Sequence, residues 1–205
     1  MVGRTVTEYI RAGVAALHLE DQVSTKRCGH LLNKALVPED EFLSRIKAAV
    51  MARSKSQGDI VIIARTDALQ SLGYETARDR LKKAIDFGAD MAFLEGVRSV
   101  KEGRQVCEDL KPTPVLYNCV AGGVSPELSP SEAQDLGFKA IIYPGFALGP
   151  VYEAVSGAAR SLKGTESRSR EVGEISPKAI FEVCGLEEAV QFDIEAGGKL
   201  YSDGV

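Results

Sequence analysis

Five short apolar runs recur along this chain, each separated from the next by a segment of helical period. They are Val14–Glu20, Asp59–Arg65, Met91–Glu95, Val115–Asn118 and Ala140–Tyr143. A run that is apolar on both faces and followed by an amphipathic helix belongs to a parallel sheet covered by helices. Helices fit Pro38–Lys55, Tyr74–Phe87, Ser99–Leu110, Ser129–Leu136 and Phe146–Leu162. Pro38 and Pro130 stand where a first helical turn tolerates proline. Turns containing Gly13, Gly88 and Gly137 precede three of the strands, as left-handed caps between helix and strand do. No glycine-rich phosphate loop follows any strand, so a β/α barrel fits better than a dinucleotide-binding sheet.

The expected architecture is therefore α/β, a partial (β/α)8 TIM-type barrel of about five of the eight units, followed by C-terminal helices. Residues 1–162 would form the partial barrel. Residues 163–205 would form a polar linker, with a loop at Lys163–Gly173, and two short helices, Pro177–Val183 and Leu186–Ala196. With 205 residues, one sizeable core suffices.

The formal net charge of −4 gives no footprint for nucleic acid. The longest apolar runs are strand-length, so no membrane partner is expected. The N-terminus lacks an apolar signal core. The four scattered cysteines form no C-x-x-C pair, which fits reduced thiols in the cytoplasm, or in mitochondria should the true N-terminus be missing.

In a barrel the chemistry sits at the C-terminal ends of the strands. Here those ends carry Glu20 and Asp21, then Arg65, Thr66 and Asp67, then Glu95, then Asn118. Strand parity allows only one of Glu20 and Asp21 to face the site. Glu20, on the same face as His18, is the one expected there, with Asp21 starting the loop. Just beyond lies Lys26-Arg27-Cys28-Gly29-His30. Both histidines of the chain fall between residues 18 and 30. Neighbouring cations favour a thiolate, which makes Cys28 a candidate proton donor or acceptor. Cys107, Cys119 and Cys184 have apolar or helical surroundings and read as inert, buried thiols. Residues 23–36 have the length of an active-site lid. Arg65 could hold a substrate carboxylate or a developing enolate oxygen, or pair with Asp67 or Glu95. Glu20 could ligate a hard cation directly or through water.

Taken together, these residues resemble the isocitrate lyase / phosphoenolpyruvate mutase superfamily. The resemblance rests on residues 12–22, the Lys26–His30 loop, Ala64-Arg65-Thr66-Asp67-Ala68, Phe93-Leu94-Glu95-Gly96 and Tyr117-Asn118. The cysteine loop marks the lyase branch, with methylisocitrate lyase, dimethylmalate lyase and oxaloacetate hydrolase. The resemblance implies Mg²⁺ (or Mn²⁺), a small-molecule 2-hydroxy or 2-oxo dicarboxylate, C–C cleavage through an enolate, and a homo-oligomer. It implies catalytic roles for Cys28, Arg65, Glu95, His30, Lys26 and Arg27. Asn118, Gly29 and His18 would belong to the substrate pocket and Glu20 to the metal.

Two departures qualify this. No Asp-x-Asp occurs, although the family's most direct metal ligands stand in that pattern, and the chain reads as N-terminally truncated. After Asn118 the run Cys119-Val120-Ala121 lacks the hydroxyls that hold a second carboxylate in isocitrate and methylisocitrate lyases, which implies a smaller or less polar substrate. The alternatives are an inactive homologue acting as a binding or assembly partner and, more weakly, phosphonate or carboxyphosphonate chemistry.

Overall fold

The computed structural model describes residues 1–29, 31–164 and 175–199. They group into two compact units, Met1–Leu148 and Gly149–Val205. In the first unit, β1 (Ala16–Glu20), β2 (Val61–Thr66), β3 (Met91–Leu94), β4 (Val115–Asn118) and β5 (Ala140–Ile142) form one sheet in sequence order. Every pairing is parallel. Helix α1 (Val2–Arg11) precedes the first strand, and α2 (Glu39–Ser56), α3 (Leu69–Asp86), α4 (Val100–Asp109) and α5 (Pro130–Leu136) connect the strands. Five sequential parallel strands with connecting helices are the expected partial barrel. The second unit begins within α6 (Leu148–Gly164) and contains α7 (Pro177–Val183) and α8 (Leu186–Glu195). The boundary expected at 162–163 falls in the last turn of α6. The loop expected at 163–173 lies mostly outside the described residues.

Strand parity divides the sheet into two chemically distinct faces. On one face Ile62, Ala64, Ala92, Leu94, Val115 and Tyr117 pack against the helices. Phe42 and Ile46 of α2, Ala77 and Leu81 of α3, Val106 of α4 and Leu136 of α5 supply the other half of the core. On the opposite face Ile63, Phe93 and Leu116 are buried, flanked by the half-buried Val61, Met91, Ala140 and Ile142. This is the inner layer of the partial barrel.

Three details depart from the sequence expectation. Helix α1 was not among the expected elements. Its Val2, Val6 and Ile10 recur at four-residue spacing and pack on Leu17, Ala49 and Ala52. Helix α3 starts at Leu69 rather than Tyr74 because two helical pieces meet at Gly73, whose φ of 81° only glycine adopts without strain. Cys184 is exposed at the end of α7, not buried, whereas Cys107 and Cys119 are buried. Helix α5 starts with a capping box: the Ser129 hydroxyl accepts from the Glu132 backbone N–H, and the Glu132 carboxylate accepts from that of Ser129.

Phe42 is fully buried between α2 and the sheet. Phe42→Ala is expected to cost about 3–5 kcal/mol, measured as a lower urea midpoint with an unchanged slope.

Candidate active site

The sheet register brings the strand ends together. Glu20 pairs with Arg65, and Arg65 with Phe93. Two residues beyond the Phe93–Leu116 pair, Glu95 and Asn118 stand side by side on the inner face. Three carboxylates converge on Arg65. Its Nε lies 2.9 Å from Asp67 Oδ2 and 3.1 Å from Glu20 Oε2, and its Nη2 lies 3.1 Å from Glu95 Oε2. The guanidinium rests 4.9 Å above the Phe93 ring, an arrangement that adds cation–π attraction. Asn118 Nδ2 donates to Glu95 Oε2 at 3.2 Å.

Burial by itself would favour a neutral Arg65. The hydrogen bond to Asp67 and the charges of Glu95, Asp67 and Glu20 outweigh it and raise the pKa above the ordinary guanidinium value. Burial likewise works against the Asp67 carboxylate, but the hydrogen bond and charge of Arg65, with Lys34 behind them, hold its pKa below the usual range. Partial desolvation and the Arg65 charge lower the pKa of His18, whose ring lies 5.8 Å from Phe93. Buried ion pairs can often be replaced by apolar residues at no loss of stability. Fold stability alone therefore does not account for four charged groups at one edge of the sheet.

The loop carrying the thiol is tied down at its base. Gln22 is 2 % exposed. Its side chain accepts from the Arg27 N–H at 3.2 Å and donates to the Arg27 carbonyl at 3.1 Å. Val23 N–H donates to Ala35, and Val37 N–H to Asp21. Lys26 Nζ pairs with Glu20 Oε1 at 2.5 Å. Gly29 lies directly on the carboxylate–guanidinium cluster. A Cβ there would stand 2.6 Å from Arg65 Nη2 and 3.1 Å from Glu95 Cδ. Because Arg65 is held on several sides, it cannot yield without losing ion pairs, so the close approach requires glycine. Cys28 is exposed beside this contact. His30 lies outside the described residues.

Asp21 faces away from the site and is fully buried. It accepts from Thr66 Oγ1 at 2.5 Å, Asp67 N at 2.9 Å and Arg80 Nη1 at 3.0 Å. Burial raises its pKa, with these three contacts acting in opposition. Asp21 thus joins the ends of β1 and β2 and orients Asp67. Sequence reasoning left Arg80 and Lys34 unassigned. Lys34 Nζ reaches Asp67 Oδ1 and the Gly29 carbonyl, both at 2.8 Å.

The metal role expected of Glu20 meets a limit. Among the described residues no group of three His, Cys, Asp or Glu side chains could hold a metal ion. Glu20 already faces Lys26 and Arg65. Its Oε2, like Asn118 Oδ1, is buried without a hydrogen-bond partner among the described residues. One such oxygen can contribute to an ion's shell but does not make a six-coordinate Mg²⁺ site. The described residues alone therefore do not form a metal site. No helix among them is long and apolar enough to cross a membrane.

The chain carrying this cluster resembles proteins of known activity. Residues 1–163 match the family described as phosphoenolpyruvate phosphomutase. The 2-methylisocitrate lyase of Salmonella typhimurium is 43 % identical over 143 residues, covering 70 % of this chain and 48 % of the relative. A crystal structure of 2,3-dimethylmalate lyase superposes with a TM-score of 0.96 at 48 % identity, covering 100 % of this chain and 68 % of that one. Oxaloacetate acetylhydrolase in complex with 3,3-difluorooxalacetate gives a TM-score of 0.92 at 46 % identity, covering 98 % and 67 %. The chain belongs to the phosphoenolpyruvate mutase / isocitrate lyase superfamily. It spans about half the length of the first curated relatives it matches.

The depressed Asp67 pKa sets a pH dependence. Its contribution is complete above the unfolded-state value of about 3.9 and is lost as pH falls through the lower folded-state value. The stability gap between the parent and Asp67→Asn is expected to narrow as pH falls below about 4, measured by urea titration at neutral and acid pH. A second expectation concerns close approach. Gly29→Ala should displace the loop tip and raise tryptic cleavage after Lys26 and Arg27, with the melting temperature of the unit preserved.

Proposed function

We propose that this chain carries the proton-transfer and carboxylate-binding parts of a carbon–carbon lyase or hydrolase acting on a 2-hydroxy or 2-oxo dicarboxylate. The observation that carries this reading is the seating of Gly29, next to the Cys28 thiol, against Arg65 and Glu95 at the C-terminal edge of the sheet. Loss of the hydroxyl proton to a base and cleavage between the second and third carbons of a 2-hydroxy acid leave a carbonyl on one fragment and an enolate on the other. In this reading Cys28 Sγ gives its proton to the enolate carbon. Arg65 holds a carboxylate or the developing oxyanion. Asn118 and Glu95 orient the substrate, and Lys26, Arg27 and His30 shape the thiol loop, with His18 on the floor beside Phe93.

The names of two relatives, 2,3-dimethylmalate lyase and oxaloacetate acetylhydrolase, support a dicarboxylate of this class. The Cys119-Val120-Ala121 run supports a smaller substrate than a tricarboxylate. The family resemblance implies a divalent ion, Mg²⁺ or Mn²⁺. Glu20 would be one contributor to it, and ligands beyond the described residues would complete it; no step above is routed through the ion. A homo-oligomer belongs to the same reading, supported by exposed apolar side chains such as Val151, Tyr152, Val155, Phe181 and Phe192 on α6–α8.

A second reading, a homologue that binds without turnover, is favoured by the lack of a three-residue metal cluster among the described residues. Proton NMR of the chain with oxaloacetate, 2,3-dimethylmalate, isocitrate and 2-methylisocitrate, each with and without Mg²⁺, separates the two. Cleavage of a four-carbon or dimethylated acid is expected, falling at least about 10²-fold in Cys28→Ser with the circular dichroism spectrum unchanged. Turnover preserved in Cys28→Ser would remove the thiol from the mechanism. No cleavage and no Mg²⁺ binding by a folded sample would support the second reading.

A further inference from the structure

Lys34 is a charge in an unusual place. A lysine is rarely buried without a partner, yet this side chain is 3 % exposed. Its ammonium makes two contacts of different reach. One crosses to Asp67 at the end of β2, 33 positions away, and the other returns to the carbonyl of Gly29 at the loop tip. The base of the loop has further ties, from Gln22 to the Arg27 backbone and in the Asp21–Val37 and Val23–Ala35 hydrogen bonds. The tip has Lys34 as its tie to the buried cluster, alongside the more exposed Lys26–Glu20 pair.

We propose that Lys34 is a positioning residue, a latch that seats the thiol loop on the Arg65–Glu95 pair. The charge balance gives the latch a consequence. Glu20, Asp67 and Glu95 set against Arg65 alone leave two negative charges in excess at the strand ends. The seated loop brings two ammonium groups, Lys26 onto Glu20 and Lys34 onto Asp67. Unseated, the cluster repels an anionic substrate; seated, it is neutral at the moment Cys28 comes into place. Loop seating and admission of a dicarboxylate are thereby coupled. This consequence rests on the function proposed above, whereas the latch itself does not.

The test reads the loop directly. Trypsin cuts after Lys26 and Arg27, both exposed, but only when the surrounding residues leave their seat. In Lys34→Met, cleavage at these two bonds is expected to accelerate about tenfold or more, the factor expected for losing a hydrogen bond from a charged group. Cys107 and Cys119 are buried and should stay unreactive toward a thiol reagent, which separates an unlatched loop from a loosened core. Lys34→Arg, which keeps the charge and donors, should cleave at a rate nearer the parent's than that of Lys34→Met.

Parent-like loop cleavage in Lys34→Met would overturn the latch. So would loop cleavage that rises only together with the reactivity of Cys107 and Cys119. Should Lys34→Met fail to fold, the double variant Lys34→Met with Asp67→Asn leaves no unpaired charge and is read in the same way. Faster loop cleavage over protected core thiols supports the latch, and a parent-like rate overturns it. The measurement needs no turnover. Absent lyase activity leaves the latch standing, and a failed latch leaves the lyase reading standing.

Discussion

Arg65 is the group on which the site's geometry depends. Its guanidinium is the meeting point of Glu20 from β1, Asp67 from the end of β2 and Glu95 from the end of β3. Each carboxylate would be costly to bury without a cation, and the cation would be costly to bury without them. The balance favours the charged forms, as the raised Arg65 and lowered Asp67 pKa values show. Gly29 comes down onto this cluster, and Lys34 reaches the same Asp67 from the other side. The tip of the thiol loop is therefore referred to the sheet through a few charged contacts, while Val23 and Leu36 at its two ends pack on the apolar core.

Behind that cluster stands a second, quieter one. Asp21 points away from the site and binds Thr66, the Asp67 backbone and Arg80 of α3. Arg80 also donates to the Val37 carbonyl at 3.3 Å, where the thiol loop ends. One buried carboxylate thus joins two strand ends, the loop's exit and a helix. The adjacent pair Glu20–Asp21 divides into a site residue and a brace because successive side chains leave a strand on opposite faces.

Membership in the phosphoenolpyruvate mutase / isocitrate lyase superfamily accounts for the sheet order. Glu20 by itself does not complete a metal site among the described residues. A hard divalent ion needs several oxygen ligands, and Glu20 already faces two cations. The functional reading proposed for these residues rests on anion binding and proton transfer.

The five-stranded parallel order was legible in the sequence because fully buried strands must be apolar on both faces and their helices amphipathic. Parity alone separated Glu20 from Asp21. The Lys26–Gly29 motif marked a candidate site loop through its concentration of charge around a thiol. Other features were not legible. Helix α1 presents a narrow stripe of Val2, Val6 and Ile10 among polar residues, and the early start of α3 hides behind Gly73. Lys34 carried no local signal, since a lysine in a polar loop ordinarily faces water. Only the tertiary structure decided that it is buried, because its partner Asp67 lies on another element and the stabilising contact exists only once β2 and the loop are packed. Sequence periodicity reports the faces of individual elements; long-range pairing of charges depends on which elements the fold brings within reach.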